Sequence, residues 1–552
     1  MMDYDVILIH PPAIYDFRKK PLFSGALGPT VERVQFIKVP LGMLSIADYL
    51  DRHGYKVLID NLADRMVSSK AFAAEEHIRN VSARIYAVGL HFHHHSQGAI
   101  EVAKLCKKLH PDSLVILGGL TATYFHEEII RKFGFVDAVI RGEAEKPFLE
   151  LIRAFENQGR LTATSNLTYR TDTGKVGVTP LMKQSANLDE FEFTRFDLLE
   201  PKTSIFPSDV QPRGHLQVCR GCRYNCVTCG GSAYSYRTYF GMKRPAFRSP
   251  GKIVEDIKRL NQQGIRFINL FQDPRMGGSK YWKELMAALR REKLDIDGLS
   301  MDLFTPADEE FVREVATIGK QVVLYICPDS GAYDVRRAQG RCYSNEDLLR
   351  TVKLCHRYHI PVTVFFSVGL AGETQETIRE TWELWEQLCS LDQAALIKGS
   401  FGGIECRLPI GGPIIGPIIL EPGSLACDFP VRYGYKAIFG NLEEYIEVLS
   451  APSWHQWINY ETNLLKRDAL IELIFESIQY SIHQREKYGL YDKFRATVER
   501  FQAQADMIAV AEVDRIMNLQ DRAERESRLK SLRDALDSFL KDVNQDQGVR
   551  SG

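Results

Sequence analysis

Val218-Cys219-Arg220-Gly221-Cys222-Arg223-Tyr224-Asn225-Cys226-Val227-Thr228-Cys229-Gly230-Gly231-Ser232 is the one cysteine-dense stretch of the chain, and Cys222, Cys226 and Cys229 stand in it as C-x3-C-x2-C. A cubane iron–sulfur cluster normally takes four thiolates. Three closely spaced thiolates leave one iron open, and an open iron can bind and reduce a ligand. Zinc is the competing reading, since Cys219 adds a fourth thiol and two C-x2-C pairs. Zinc sites usually separate their pairs, however, and two pairs this close leave little chain to wrap an ion. The metal ligands expected are therefore Cys222, Cys226 and Cys229 on a [4Fe-4S] cluster, with Cys219 outside the set. Gly230-Gly231 directly after the last cysteine lets the backbone approach a ligand closely.

Downstream, from about 214 to 400, strand and helix patterns alternate. Strands are expected over Arg266–Leu270, Gly298–Leu303, Val322–Ile326 and Val362–Val368, with helices between. The unit is long enough for a partial or complete barrel. Upstream, residues 1–155 alternate in the same way. Val6–Ile9, Lys56–Ile59, Ile85–Gly89, Leu114–Leu117 and Ala138–Ile140 read as strands, with helices over Leu44–Leu50 and Ala99–Leu109. Continuous apolar strands separated by helices predict an α/β fold with a doubly wound parallel sheet. Ligands of such sheets sit at the carboxyl ends of the strands. Those ends are His10-Pro11-Pro12, Asp60-Asn61, His91-Phe92-His93, Gly118-Gly119 and Arg141-Gly142-Glu143.

Residues 156–213 are polar and turn-rich and read as a linker with a small hairpin. Residues 401–552 read as a mainly helical capping region. Within it the apolar run Leu408–Leu420 is broken by Gly and Pro and reads as loop. The charged stretch Ala509–Val543 reads as a surface helix packed by one stripe of Ile516, Leu519, Leu529, Leu532, Leu536 and Phe539.

The chain has 552 residues and needs more than one core. A net charge of -1 gives no global field for nucleic acid or an anionic membrane. No apolar run approaches the roughly 20 residues of a membrane span, and the acidic start Met1-Met2-Asp3-Tyr4-Asp5 lacks a signal peptide, so a cytoplasmic protein is expected. The 11 cysteines argue against a disulfide framework in such a chain. Cys106, Cys355 and Cys389 lie in helical patterns as small apolar residues.

C-x3-C-x2-C at the start of an α/β unit resembles the signature of the radical S-adenosylmethionine (SAM) superfamily. In that family the open iron is chelated by the methionyl amine and carboxylate, and electron transfer into the sulfonium releases a 5′-deoxyadenosyl radical. Pro328-Asp329-Ser330-Gly331, Arg336-Arg337, Gly340 and Tyr343-Ser344 resemble the family's E-S-G…R…G…Y-S stretch. Phe365-Phe366-Ser367-Val368-Gly369-Leu370-Ala371-Gly372-Glu373-Thr374 resembles its F-x-x-G-L-P-G-E-T turn. The resemblance implies Ser330, Arg336 and Ser367 as contacts to the ribose or carboxylate of SAM. Two positions depart from the pattern. Thr228 stands where an aromatic residue is usual, and Asp273 offers the acidic group at the second strand end in place of Gly-Gly-Glu. Asp273 is expected to be catalytic, on the methionyl amine or at the cluster itself.

A doubly wound domain ahead of a radical domain resembles the cobalamin (B12)-binding radical SAM enzymes, over residues 3–400. The implied architecture is a Rossmann-like cobalamin-binding domain, a radical SAM barrel and a helical cap. Gly118-Gly119 after its strand, and Arg141-Gly142-Glu143-Ala144-Glu145 as a G-E-x-E turn, fit that family. The D-x-H-x-x-G loop that gives histidine to cobalt in many B12 proteins is replaced by His10-Pro11-Pro12-Ala13-Ile14-Tyr15, so no histidine need bind the metal. The implied cobalamin contacts are Pro12, Arg65, His91, His93, Gly118, Gly119, Gly142 and Glu143. Arg65 is placed at the lower face of the corrin, where a cation would disfavour a sixth ligand. His91, His93, His94 and His95 read as tail contacts and surface, because adjacent loop histidines cannot all face one ion.

The resemblance implies a C-methyltransferase that acts on a small-molecule or natural-product substrate through methylcobalamin. Its partners are that substrate and an external electron donor of flavodoxin or ferredoxin type, with no nucleic acid. A cobalamin-dependent rearrangement, cyclisation or oxidation without methyl transfer is the alternative, and a non-catalytic cobalamin or redox sensor is a third reading. The aromatics of Arg432-Tyr433-Gly434-Tyr435 and Ser453-Trp454-His455-Gln456-Trp457 are expected at the barrel mouth, stacking on a ring or packing a lid.

Overall fold

The computed structural model describes residues 2–23, 41–157, 161–185, 187–202, 212–395, 398–401, 404–407 and 416–548. In the first unit the strands are β1 (Tyr4–His10), β2 (Val57–Asn61), β3 (Ala83–Gly89), β4 (Leu114–Gly118) and β5 (Ala138–Ile140). They pair in parallel in the order β5-β4-β3-β1-β2. Helices α1 (Leu41–Asp51), α2 (Ser96–Leu109) and α3 (Glu145–Glu156) cover its faces. Ile7 and Ile9 join one apolar core and Val6 and Leu8 the other, so β1 is buried on both faces. This explains its uninterrupted apolar run. The pairings His10↔Asn61 and Gly89↔Gly118 align the carboxyl ends of these strands along one edge.

The stretch 156–213 is more than a linker. Its hairpin, β6 (Leu167–Arg170) and β7 (Val176–Val178), adds antiparallel to β5, and β8 (Leu199–Glu200) pairs with β2 at the far edge. The order is β7-β6-β5-β4-β3-β1-β2-β8. Polar, turn-rich sequence hid these strands because edge strands need no continuous apolar run.

The second unit opens with β9 (Arg213–Gln217), a strand that the apolar periodicity missed because Arg, His and Gln fill one of its faces. The short strand β10 (Cys219–Arg220) pairs antiparallel with β11 (Ala246–Phe247), and helix α4 (Ala233–Tyr239) lies between them in the chain. Then come β12 (Phe267–Phe271), β13 (Gly298–Leu303), β14 (Gln321–Asp329) and β15 (Val362–Phe366). The parallel order β15-β14-β13-β12-β9 is an open, partial barrel. Its outward residues Leu216, Ile268, Leu270, Met301, Leu324 and Ile326 are buried beneath helices, whereas the alternating residues His215, Asn269, Ser300, Tyr325 and Phe365 are half-exposed. The lumen is therefore a cavity and not a packed core, unlike a filled barrel.

The C-terminal region is mainly helical: Arg467–Lys487, Lys493–Met517 and Arg522–Gly548 are its long helices. The expected single helix over Ala509–Val543 is two helices. Its apolar stripe is used within the chain, since Ile516 and Leu529 pack with Phe23, Ala509 and Val513. The aromatics Trp454 and Trp457 belong to the main core, which favours the packed lid over ring-stacking. Residues 408–415 of the expected loop lie outside the described residues. No described helix is long and apolar enough to cross a membrane.

Candidate functional site

The cysteine loop hangs between β10 and α4 and is tied down by backbone bonds from three sides. Ala233 N donates to Tyr224 O at 2.8 Å, Val227 N to Gln339 O at 3.1 Å, and Ala426 N to Val227 O at 2.9 Å. Gly340 at φ +92° lies so close to the loop that a Cβ there would sit 2.8 Å from Asn225 O. Two amides point at sulfur: Tyr224 N donates to Cys222 Sγ at 3.4 Å and Gly231 N to Cys229 Sγ at 3.3 Å. Burial pushes the Cys222 and Cys226 thiols up, and Arg341 pulls against that shift at both. Cationic iron is what would turn such thiols into thiolates.

Among the described residues no three His, Cys, Asp or Glu side chains are arranged to hold one metal ion. Cys219 is turned away, its thiol donating to Gln272 Oε1 at 2.6 Å. Both points disfavour a zinc knuckle. Cys222, Cys226 and Cys229 are then the thiols on this loop left for a cubane, in which each thiolate would take a different iron.

Asp273 and Arg336 do not stand as expected. The Asp273 carboxylate is 1% exposed and accepts from Arg275 Nε and Nη2 at 2.9 and 2.6 Å, and from the amides of Arg275 and Phe304 at 2.9 Å each. Saturated in this way, it fastens the β12 and β13 ends together, and all of its acceptor capacity is used within the chain. Arg336 is 0% exposed and donates to Ser330 O at 2.9 and 2.7 Å, to Tyr343 O at 3.0 Å, and to Asn345. It is a buttress of the turn after β14. The guanidinium that faces the cysteines is Arg341, paired with Asp329. Sequence reading passed over it because a resemblance fixes the turn better than it fixes which arginine emerges from it.

Asp329 sits in the left-handed region at φ +67°, where its Oδ1 accepts from the Cys327 thiol at 3.0 Å and its carbonyl accepts from Ser367 N at 2.8 Å. The ends of β14 and β15, with Ser330 and Ser367, are thereby brought together. Below them the fully buried Glu373 accepts from Gly369 N and Leu370 N at 2.6 and 3.0 Å, and burial pushes its carboxyl up to about 8. In the lumen, burial also pushes Asp302 up, against the Gln272 amide that it accepts from.

A cavity of about 180 Å³ opens at the carboxyl edge of the first sheet. His91, Gly118, Gly119, Gly142 and Glu143 line it, and so do Gln217, Arg220, Tyr236 and Phe240 of the second unit. Gly119, at φ +117°, must be glycine: a Cβ would lie 2.6 Å from Leu90 O. Burial, then His10, push the His91 imidazole down to about 4, so it is neutral at physiological pH.

Three expected contacts lie elsewhere. Pro12 packs its carbonyl over Gly98 of α2, His93 is buried against the Tyr445 ring at 5.6 Å, and Arg65 donates to Asp60 at 2.6 Å. Asp60 also holds His77 at 2.8 Å, so Arg65 belongs to a charge cluster at the end of β2 and not to the cavity wall.

Residues 216–384 match the family model of the Radical SAM superfamily, and residues 29–152 match that of the B12 binding domain. The chain belongs to the cobalamin-binding radical SAM enzymes. Its cofactors are accordingly a [4Fe-4S] cluster, SAM and cobalamin.

Among relatives of this cobalamin-binding radical SAM enzyme, an uncharacterized methyltransferase of Pyrococcus horikoshii is 26% identical over 69% of this chain and 78% of its own. An anaerobic magnesium-protoporphyrin IX monomethyl ester cyclase of Rubrivivax gelatinosus is 23% identical, and a hopanoid C-3 methylase of Methylococcus capsulatus 25%. The match covers 62% of this chain and 61% of the cyclase, and 46% of both this chain and the methylase, so it spans less than two thirds of these two relatives. The fold is that of the methyltransferase TsrM from Kitasatospora setae with cobalamin and [4Fe-4S] cluster bound: TM-score 0.61, 15% identity, 92% of this chain and 100% of that one. It is also that of OxsB with aqua-cobalamin bound: TM-score 0.60, 13% identity, 99% of this chain and 81% of that one.

Proposed function

We propose that this cobalamin-dependent radical SAM enzyme transfers a methyl group to carbon of a small-molecule or natural-product substrate held in the barrel lumen. The observation that carries the reading is the juxtaposition of two cofactor sites. The cysteine loop and the first-sheet cavity share the walls Arg220 and α4. Relatives named as methyltransferase and methylase support the transfer of methyl rather than another outcome. In this reading the cluster with SAM supplies a 5′-deoxyadenosyl radical and cobalamin carries the methyl group.

The chain's own residues hold and orient. Cys222, Cys226 and Cys229 would hold the cluster, and Arg341, steadied by Asp329, would receive the SAM carboxylate. Ser367 would lie near the ribose, whereas Ser330, 0% exposed with its hydroxyl bonded to Ala332 N at 3.2 Å and Thr381 at 3.3 Å, shapes the turn beside it. His91, Gly118, Gly119, Gly142 and Glu143 take the cobalamin tail, while Pro12, His93 and Arg65 support the loops around it. Asp302 and Cys327, half-exposed in the lumen, face the substrate. A flavodoxin- or ferredoxin-type donor delivers the electron.

The test is anaerobic reconstitution with SAM labelled in its methyl group. Label appearing on cobalamin, and its loss in C222A, C226A or C229A, are expected. If cluster and corrin are both bound and no label reaches cobalamin, methyl transfer is wrong. The cyclase relative favours one second reading, a rearrangement, cyclisation or oxidation without methyl transfer. Product mass separates the two, because only methylation adds a methylene unit.

A further inference from the structure

Arg220 occupies an unusual place. It precedes the first cluster cysteine by two residues, yet its side chain leaves the second unit and enters the first. Nη2 donates to Glu145 Oε1 at 2.6 Å and to Ser45 Oγ at 3.0 Å, and Nη1 pairs with Glu143. Ser45 Oγ donates in turn to Glu145 at 2.6 Å. The rings of Phe191 and Phe193 lie 5.2 and 5.5 Å from the guanidinium, which is 5% exposed at the level of the residue. One cation thus ties α1, the Gly142–Glu145 turn and β10 in a buried network.

The same guanidinium walls the 180 Å³ cavity, and beyond the last cysteine Tyr236 and Phe240, on and just after α4, wall it again. Both flanks of the cysteine loop are therefore part of the pocket for the cobalamin tail. An empty pocket leaves these walls without partner atoms on one side, and an occupied one packs them. Filling it restrains the loop at both ends.

We propose that Arg220 is a positioning residue that couples the two cofactors, so that cobalamin in its pocket stabilises the [4Fe-4S] cluster and the cluster tightens cobalamin. This rests on the reading that the first-sheet cavity takes the cobalamin tail. Linkage makes the effect reciprocal, the same factor appearing in either direction.

The experiment uses the full chain with its cluster reconstituted anaerobically. The rate of cluster bleaching by a ferrous chelator is measured with and without saturating cobalamin, and the cobalamin Kd is measured with and without cluster. In wild type the cluster should lower the cobalamin Kd by at least about fivefold, the lower end of ordinary couplings, and cobalamin should slow bleaching in the same sense.

R220M leaves the buried Glu145 and the half-buried Glu143 carboxylates without their cation and can fail to fold. A second variant, R220M with E143Q and E145Q, removes all three charges together. In whichever of these folds and binds each cofactor singly, both factors should fall to within twofold of unity. A milder variant, S45A, at a residue outside the cavity lining, keeps the Arg220–Glu143 and Arg220–Glu145 pairs and should retain most of the coupling. Equal protection in wild type and the charge-free variant overturns the role of Arg220. Cobalamin that binds without slowing bleaching in wild type overturns the coupling and leaves the family reading intact. A wild-type chain that takes up cluster but no cobalamin sinks the pocket reading and the coupling with it.

Discussion

Replacing Glu373 by Gln should stabilise the protein, and by an amount that grows with pH. Glu373 is fully buried, one carboxyl oxygen accepts two amides of the Gly369-Leu370 turn, and Oε1 has no hydrogen-bond partner. Burial raises its carboxyl from 4.5 to about 8. A raised carboxyl is favoured protonated in the folded chain. Its stability is therefore complete below the unfolded value and is lost as the pH rises through the folded one, while the unfolded chain ionises first. At about 1.4 kcal/mol per pH unit, the wild type loses roughly 1 kcal/mol by pH 5. The loss reaches about 3 kcal/mol by pH 7 and about 5 kcal/mol above pH 8.

Gln keeps the accepting oxygen and cannot ionise, so E373Q lacks the loss. Urea unfolding is followed by tryptophan fluorescence, to which Trp385, packed on Phe366 of β15 at 5.7 Å, contributes one nearby probe. The difference between the two midpoints, converted to free energy, should widen from pH 5 to pH 8 and then level. Every other titrating group is common to both proteins and cancels. A difference that stays constant across that range would refute the reasoning, since Glu373 would then ionise as an exposed carboxyl does.

Gly340→Ala places a Cβ 2.8 Å from Asn225 O and 3.4 Å from Cys226 Cα in a left-handed backbone, which costs about 1–2 kcal/mol before any clash. Iron content after reconstitution should drop severalfold with far-UV circular dichroism unchanged; full iron content counts against the pinning of the loop. Arg248 and Asp256 are both 0% exposed and paired at 2.9 Å, with Arg248 also donating to the carbonyls of Leu188 and Phe191 at 2.7 Å. R248M strands a buried carboxylate and should lose about 3–5 kcal/mol in denaturant unfolding, with much of it recovered in R248M/D256L.

Much of the chain was legible because the signals are local. Cys222, Cys226 and Cys229 declare themselves by spacing, and the apolar runs of β1 to β5 and β12 to β15 by period and composition. Gly118-Gly119 and Gly142-Glu143 follow from strand ends that parallel pairing brings to one edge. β9 was not legible, because a lumen-facing row of Arg213, His215 and Gln217 suppresses the apolar signal of a barrel strand. Arg336 and Arg341 differ by five positions and carry the same group, and nothing in the sequence says which one is spent on backbone carbonyls.

Sequence by itself therefore determined which cofactor chemistries the chain is built for, since ligand type and spacing are properties of a few neighbouring residues. Tertiary structure decided which side chains remain for that chemistry. Asp273 is consumed by Arg275 two residues on and by the Phe304 amide beyond β13, Arg336 by carbonyls and Asn345 of its own turn, Arg65 by Asp60, and Arg220 by two glutamates some 75 residues upstream. A side chain's hydrogen-bonding capacity is finite, and what has already used it is settled only by packing.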